Sequence, residues 1–432
     1  MRFSLLSGEW RRLGLVLGGE GLQSGLHFGL NLALIALLPA REYGAFAFVL
    51  VLGGVGLVYV RSLAAMPAST YIGRARRAVC ADFYEGAFGA AALVLSAVIA
   101  AAAAAILSIS STDAAFGGAA VVGLWSLRSF LRTVGFARRQ AFAVTLGDAA
   151  FATTGVVAGA AALTFDGDRL EGVLGALALA NVVGAATIAL ARGRRPRADF
   201  GRRARRFYFR LALRLAWSLY SVTATVLLGQ GVAFLVVAFA GPAAFAPIAA
   251  MLAFFAPLRI FSMSLANMLQ PEVARTVRLG DEAGWRRLRS TWTRRACLLA
   301  FLYGAVCLTI LPHLRLRSMA HQPILFIALC AWWVYATALG YLLPRIFLEA
   351  RMRFREIAVI TTLAALVSLA ATATLLIVAA PGYALIGAAL GESAAALATW
   401  RRAAGPPTGR RPAKPRIWRG GLAQAAEAES LL

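Results

Sequence analysis

What this 432-residue chain lacks narrows its reading before any motif is considered. Charge is scarce: 15% of residues are Asp, Glu, Lys or Arg, against about 25% in soluble domains. Lysine is nearly absent; of the 44 Lys and Arg residues only Lys414 is a lysine, a bias that fits a GC-rich coding sequence better than a chemical demand. There are four cysteines, Cys80, Cys297, Cys307 and Cys330, without C-x-x-C spacing and all on inner or buried stretches, which excludes an outer-face disulfide framework. The three histidines, His27, His313 and His321, are too dispersed to form a metal-ligand cluster. No Walker A sequence is present, which argues against ATP hydrolysis by this chain. No pair of carboxylates has the spacing of an acid–base dyad. These absences predict a protein that is not an enzyme, has no cofactor, and moves something rather than converting it.

What is present points to a membrane. Apolar residues make up 60% of the chain and mean hydropathy is +0.73, a composition that excludes a disordered chain, a small secreted scaffold and an ordinary cytosolic enzyme. A net charge of +25 would fit nucleic-acid binding in a polar protein, but not in one this apolar. A helix needs about 20 apolar residues to cross the hydrocarbon, since its backbone must satisfy its own hydrogen bonds there. Twelve such stretches are predicted, near 13–38, 43–70, 84–109, 116–137, 141–164, 170–191, 211–239, 244–269, 296–314, 323–347, 357–380 and 383–400. The first follows Arg11 and Arg12 as a signal peptide would, but it is too long and ends without a small-x-small cleavage site. With the N-terminus placed inside, the inner segments hold 34 of the cations, the outer loops 4 and the helices 6. That asymmetry predicts twelve helices with both termini cytoplasmic. Most loop arginines then read as topology determinants and contacts for anionic membrane lipids.

The longest inner loop, RGRRPRADFGRRARRFYFR at 192–210, divides the chain into two groups of six segments. The expected organisation is an N-terminal lobe at 1–195, a basic cytoplasmic linker at 196–210, a C-terminal lobe at 211–402 and a disordered cytoplasmic tail at 403–432. Six segments per half imply parallel repeats. At an offset of 202, Tyr43-Gly44 maps onto Phe245-Ala246, and Pro67 falls within two residues of Pro271. The second long inner loop, Pro271–Arg295, has alternating charges with Trp285 and Trp292 and predicts an amphipathic interfacial helix. The run GGVG at Gly53–Gly56 lies inside the second segment and predicts close helix packing, not a nucleotide loop.

Ionisable residues within the segments are the functional candidates, because each costs at least about 2.5–3.5 kcal/mol to insert. Glu20 and His27 lie in the first segment, Arg61 in the second, Arg128 and Arg132 in the fourth and Asp148 in the fifth. Arg214, Arg259, Arg345 and Glu392 follow in the seventh, eighth, tenth and twelfth. Arg214 and Arg345 are within a turn of the inner surface and can snorkel. Arg128 and Arg132 share one helix face; Arg128 sits roughly 13 Å, and Asp148 roughly 10–12 Å, above the inner ends of consecutive helices at about 1.5 Å per residue. An Arg128–Asp148 pair is therefore feasible, whether as a self-neutralising structural pair or as an ion-coupling site. Arg61 and Arg259 occupy matching inner-half depths in the second and eighth segments and have no acidic partner on their own helices. Glu20 could pair with either or exchange protons. Glu392 sits near mid-membrane within GAALGESAAA, a face suited to close packing. The pattern predicts a cationic cavity biased to the inner half, attractive to a phosphate-bearing ligand through Arg61, Arg128, Arg132 and Arg259 and repulsive to a cationic drug.

Four stretches carry a family resemblance. Phe28–Arg77, with the turn LPAREYGAFAF at Leu38–Phe48 and Met66-Pro67 near the end of the second segment, resembles the opening of Wzx-type polysaccharide flippases of the multidrug/oligosaccharidyl-lipid/polysaccharide exporter superfamily. LRTVGFARRQAFAVTLGD (Leu131–Asp148), PEVARTVRLGDEAGWRRLRS (Pro271–Ser290) and PGYALIGAALGES (Pro381–Ser393) are similar to later passages of that family. The resemblance implies an all-α polytopic membrane protein with twelve helices in two six-helix lobes around a cavity that opens alternately to each side. It implies a bacterial inner-membrane flippase that carries undecaprenyl-pyrophosphate-linked oligosaccharide units outward for O-antigen or exopolysaccharide assembly. Cavity arginines and ion gradients in that family map onto Arg61, Arg128, Arg132 and Arg259, with Asp148, Glu20 and Glu392 as ion-coupling or structural carboxylates. A polysaccharide polymerase and chain-length proteins are the implied protein partners. Two alternatives stay open: an ion-coupled drug or metabolite antiporter of the same superfamily, and a membrane-embedded polymerase or glycosyltransferase. The latter would need a large outer loop or soluble domain, and every outer loop here is short.

Overall fold

In a computed structural model, the described residues are 2–75, 77–110, 114–164, 167–193, 196–313 and 323–404; of 2–13, 16–17, 212–214 and 267 only the backbone is described. The tail expected to be disordered from 403 lies outside these residues from 405 onward. The described chain is all helix, without strands. In order, α1 is Arg2–Leu37, α2 Ala40–Val60, α3 Met66–Arg74, α4 Ala78–Ser110, α5 Ala115–Ala137, α6 Ala141–Thr164 and α7 Arg169–Ala191. There follow α8 Arg202–Leu279, α9 Glu282–Ile310, α10 Ile324–Gly340, α11 Leu342–Ala350, α12 Phe354–Val378 and α13 Leu385–Ala404. A π-turn at Arg61–Ala65 joins α2 to α3 without interrupting the helical path.

The apolar segments read from the sequence fall on these helices. Among the described residues, eight stretches are long and apolar enough to cross a membrane. One of them, Leu215–Ala266, is 52 residues long and holds both the seventh and eighth segments. It is broken at Gly241, whose φ of 80° and ψ of 172° lie where only glycine sits without strain. The predicted segments not among the eight are those of α1, α5 and α13. They carry Glu20, Arg128 with Arg132, and Glu392, whereas Arg61, Asp148 and Arg259 lie in stretches that are among the eight. The chain is a multi-pass membrane protein.

Packing is mostly within halves. α6 lies on α7 and α1, and α5 on α4 and α7; in the second half α12 packs on α13 and α8, and α10 on α8, α13 and α9. The main junction between the halves is α2 against α8. At the end remote from the arginine-rich loops, Tyr43, Phe46, Phe48 and Phe245 are buried in one core. Gly44 is needed there: a Cβ would overlap the Pro242 carbonyl oxygen just past the Gly241 break. Tyr43, Phe245 and Ala246 thus belong to one core, with Gly44 against Pro242 beside it. Toward the arginine-rich end, Tyr59 bonds Thr223 at 2.9 Å and Ser62 bonds Ser218 at 2.5 Å. GGVG behaves as a packing run, since a Cβ at Gly53 would meet the Trp125 ring at 2.5 Å and one at Gly56 the Ser126 hydroxyl at 2.6 Å.

One expectation about the loops is corrected. Pro271–Arg295 does not form a separate interfacial helix. α8 runs through to Leu279, Gly280 caps it with a left-handed φ of 67°, and Asp281 starts α9 by accepting from the Gly284 amide at 2.8 Å. A Gly C-cap followed directly by an Asp N-cap makes a tight turn and leaves no length for a third helix. Trp285 is buried against Phe347, with rings 4.2 Å apart, rather than lying at an interface. The segment read as the basic linker packs on the first half. The Asp199 amide bonds the Gly86 carbonyl at 2.9 Å, and Phe207 packs among Tyr71, Phe83, Tyr84 and Phe88.

Candidate functional site

The candidate residues of the first half converge. Asp148, on α6, is fully buried and takes the Arg128 Nη1 donor on Oδ1 at 3.0 Å and the Arg132 Nη2 donor on Oδ2 at 2.9 Å. Arg132 also donates to Glu20 Oε1 at 3.0 Å. Glu20 therefore pairs with neither Arg61 nor Arg259: α1 packs on α6, which brings its carboxylate over Arg132 instead. Two arginines and two carboxylates cancel, as a cluster in hydrocarbon must. Glycines permit the approach. A Cβ at Gly19 would stand 2.7 Å from Asp148 Oδ2, and one at Gly184 would stand 3.2 Å from Arg128 Cδ.

Arg128 has no exposed surface. Its Nε donates to Asn181 Oδ1 at 3.0 Å and its Cζ lies 3.7 Å from the centre of the Phe151 ring, while Nη2 has no partner among the described residues. Arg132 keeps 11% of its side chain exposed. The structure thus places these two guanidinium groups inside a packed ionic cluster and not on an open cationic wall. Above them His27 stacks on Trp125 with rings 4.7 Å apart. Asn181 was missed from the sequence; a single amide inside the apolar run ALALANVV of α7 was the available signal.

Arg61 and Arg259 behave differently. Both are exposed, and among the described residues neither has a carboxylate or hydrogen-bond partner. Arg61 opens the π-turn beside Ser62, at the α2–α8 junction. In the second half, Glu392 is 9% exposed and accepts from the Tyr341 hydroxyl at 2.9 Å, so its partner is a phenol. It lines a small cavity of about 50 Å³ with Gln230 and Phe245. A Cβ at Gly391 would meet Ser368 Cβ at 2.5 Å, the tight packing expected of that small-residue face. Arg345 pairs with Glu349 at 3.4 Å, and the Arg214 side chain lies outside the described residues.

A second ionic cluster, not anticipated from the sequence, sits at the arginine-rich end. Glu85 takes Arg192 at 2.7 Å and Arg138 at 2.8 Å, and Asp82 takes Arg138 at 2.7 Å and Arg197 at 2.8 Å. Three arginines assigned to topology and lipid contact are therefore bound by carboxylates of α4. The guanidinium groups of Arg192 and Arg197 thereby tie the start of the basic linker to the first half.

No protein-family model matches this chain, and no curated protein does. Solved structures do. An inward-facing multidrug resistance MATE family transporter of the MOP superfamily matches with TM-score 0.70 at 11% identity, over 88% of this chain and 93% of that one. The lipid II flippase MurJ in an inward closed conformation matches with TM-score 0.65 at 10% identity, over 91% of this chain and 88% of that one. An outward-facing MATE family transporter of the MOP superfamily gives 0.51 at 14% identity, over 91% and 94% of the two chains. At these identities the likeness is one of fold: a polytopic helical architecture.

Proposed function

We propose that this fold works as a membrane flippase, carrying an undecaprenyl-pyrophosphate-linked oligosaccharide from the cytoplasmic to the periplasmic leaflet of a bacterial inner membrane by alternating access. The observation that carries the reading is the pair of exposed guanidinium groups at Arg61 and Arg259, without partners among the described residues. A pyrophosphate offers each of them a planar, charge-assisted contact. The halves, 1–195 and 211–402, act as lobes, and the α2–α8 contact around Gly44 and Pro242 closes the outer side. The arginine-rich ends and both termini face the cytoplasm.

In this proposal Arg61 and Arg259 are the substrate contacts. Arg128 and Arg132, held by Asp148 and Glu20, keep the first lobe's interior neutral and rigid, and reach substrate only if the cluster opens during transport. Glu392 is the second lobe's candidate for ion coupling. A polysaccharide polymerase and chain-length proteins would act on the delivered units. Depletion in the native host tests the reading: lipid-linked repeat units should accumulate on the cytoplasmic side and surface polysaccharide should fall. Normal surface polysaccharide after deletion would overturn it.

The likeness to the multidrug MATE fold favours a second reading, an ion-coupled drug or metabolite antiporter. A cationic drug would be repelled by Arg61 and Arg259, which weighs against it. Unchanged drug sensitivity on deletion would remove it.

A further inference from the structure

A cavity at the arginine-rich end of the second half plays no part in the flipping reading. It has a volume of about 480 Å³, in the range of ligand pockets, and is walled by the α8–α9 turn, the end of α11 and the end of α13. Its floor is the buried Trp285–Phe347 stack, with rings nearly parallel at 8°. Arg351 lies over Phe347 with Cζ 4.2 Å from the ring centre, and Arg289 lies 5.9 Å from the Trp285 ring and 5.4 Å from Trp400. The two guanidinium groups are therefore held by aromatic faces. Among the described residues neither guanidinium makes a close ion pair or a hydrogen bond, and Glu282 acts on Arg351 only at longer range.

The acids in the same wall are already engaged. Glu282 pairs with Arg286 at 3.3 Å, and Asp281 caps α9. Burial and the neighbouring Arg353 push the Arg351 guanidinium below its ordinary range against the opposing pull of Glu282, so its charge is only partly compensated where it stands. A cation held by a ring face keeps its N–H fork free, and two such forks in one cavity suit a tetrahedral oxyanion. We infer that Arg289 and Arg351 form a binding site for a phosphate ester on this face of the protein, distinct from the transport path. The phosphate could belong to the headgroup of an anionic lipid in the adjacent leaflet or to a soluble phosphorylated molecule.

The test uses the full chain in detergent and measures affinity for dioctanoyl phosphatidylglycerol, dioctanoylglycerol and glycerol 3-phosphate. Wild-type protein should bind the phosphatidylglycerol and not the uncharged diacylglycerol. Arg289→Gln with Arg351→Gln should weaken binding by about tenfold or more, the loss expected for charged hydrogen bonds. Arg205→Gln with Arg206→Gln, which removes two exposed arginines elsewhere, should change it less than twofold. Arg289→Lys with Arg351→Lys keeps the charge and should retain part of the affinity, which separates loss of the site from loss of fold. If glycerol 3-phosphate binds with the same sensitivity to the Gln pair, the ligand is a soluble phosphate ester; if only the lipid binds, it is a headgroup. Binding to neither phosphate probe, equal binding of the diacylglycerol, or a Gln pair within twofold of wild type would overturn the inference.

Discussion

Replacing Asp148 with Asn asks whether the ionic cluster of the first half holds the protein together. The Asp148 carboxylate neutralises two guanidinium groups, at 3.0 Å and 2.9 Å, and has no exposed surface. Asn keeps the shape and one acceptor but removes the charge, leaving Glu20 alone against Arg128 and Arg132. Glu20 reaches only Arg132, and Arg128 has no surface through which water could compensate it. Breaking a buried pair by removing one partner costs about 3–5 kcal/mol, a large part of the ~5–15 kcal/mol that typically separates folded from unfolded protein. D148N should therefore lower the thermal midpoint in detergent strongly and reduce the amount recovered from membranes. Combining it with Arg128→Met removes both charges and leaves Arg132 paired with Glu20. That double variant should recover about 2 kcal/mol or more, because a matched apolar replacement of a buried pair is close to neutral. The two single variants and the double form a cycle whose coupling energy is the measured quantity. A D148N protein within about 0.5 kcal/mol of wild type, or a coupling energy near zero, would refute the buried-pair argument.

Other outcomes follow from the same structure. Gly44→Ala places a Cβ against the Pro242 carbonyl and should cost about 1–3 kcal/mol of overpacking while loosening the α2–α8 contact, read as reduced crosslinking between cysteines introduced across it. Gly241→Ala forces a side chain into a glycine-only backbone conformation and should cost about 1–3 kcal/mol in thermal unfolding. Glu85→Gln leaves Arg192, whose side chain is 2% exposed, without its carboxylate and should destabilise by about 3–5 kcal/mol, with increased proteolysis near residues 196–201. Tyr341→Phe removes the hydroxyl donor to Glu392 and should cost about 1–3 kcal/mol by the same melt.

The fold class was legible because hydrocarbon imposes a length and a composition that no soluble helix needs. The Arg128–Asp148 pair was legible for a related reason: consecutive helices joined by a short turn fix relative depth, and depth is simple arithmetic. Glu20 was harder, since its partner depends on how α1 docks, and the mark of that docking was a single glycine, Gly19, among many. The Asp82 and Glu85 cluster escaped because counting cations by side explains where arginines are and not what holds them. The turn at Gly280-Asp281 was written in the sequence as a C-cap and an N-cap, but the charge alternation around it read more strongly as an amphipathic helix. Whether a polar residue faces a cleft, a neighbour or lipid depends on tertiary packing, which is why Arg128 and Arg61 looked alike in the sequence and differ in burial.

The central claim is that Arg61 and Arg259 together engage the phosphate of a lipid-linked cargo. The most direct measurement is translocation of undecaprenyl-pyrophosphate-linked oligosaccharide in proteoliposomes, comparing wild type with Arg61→Ala, Arg259→Ala and the double variant at matched, monodisperse incorporation. The account predicts translocation by the wild type, a loss of about tenfold or more in each single variant, and none above background in the double. A double variant that translocates at the wild-type rate would contradict it.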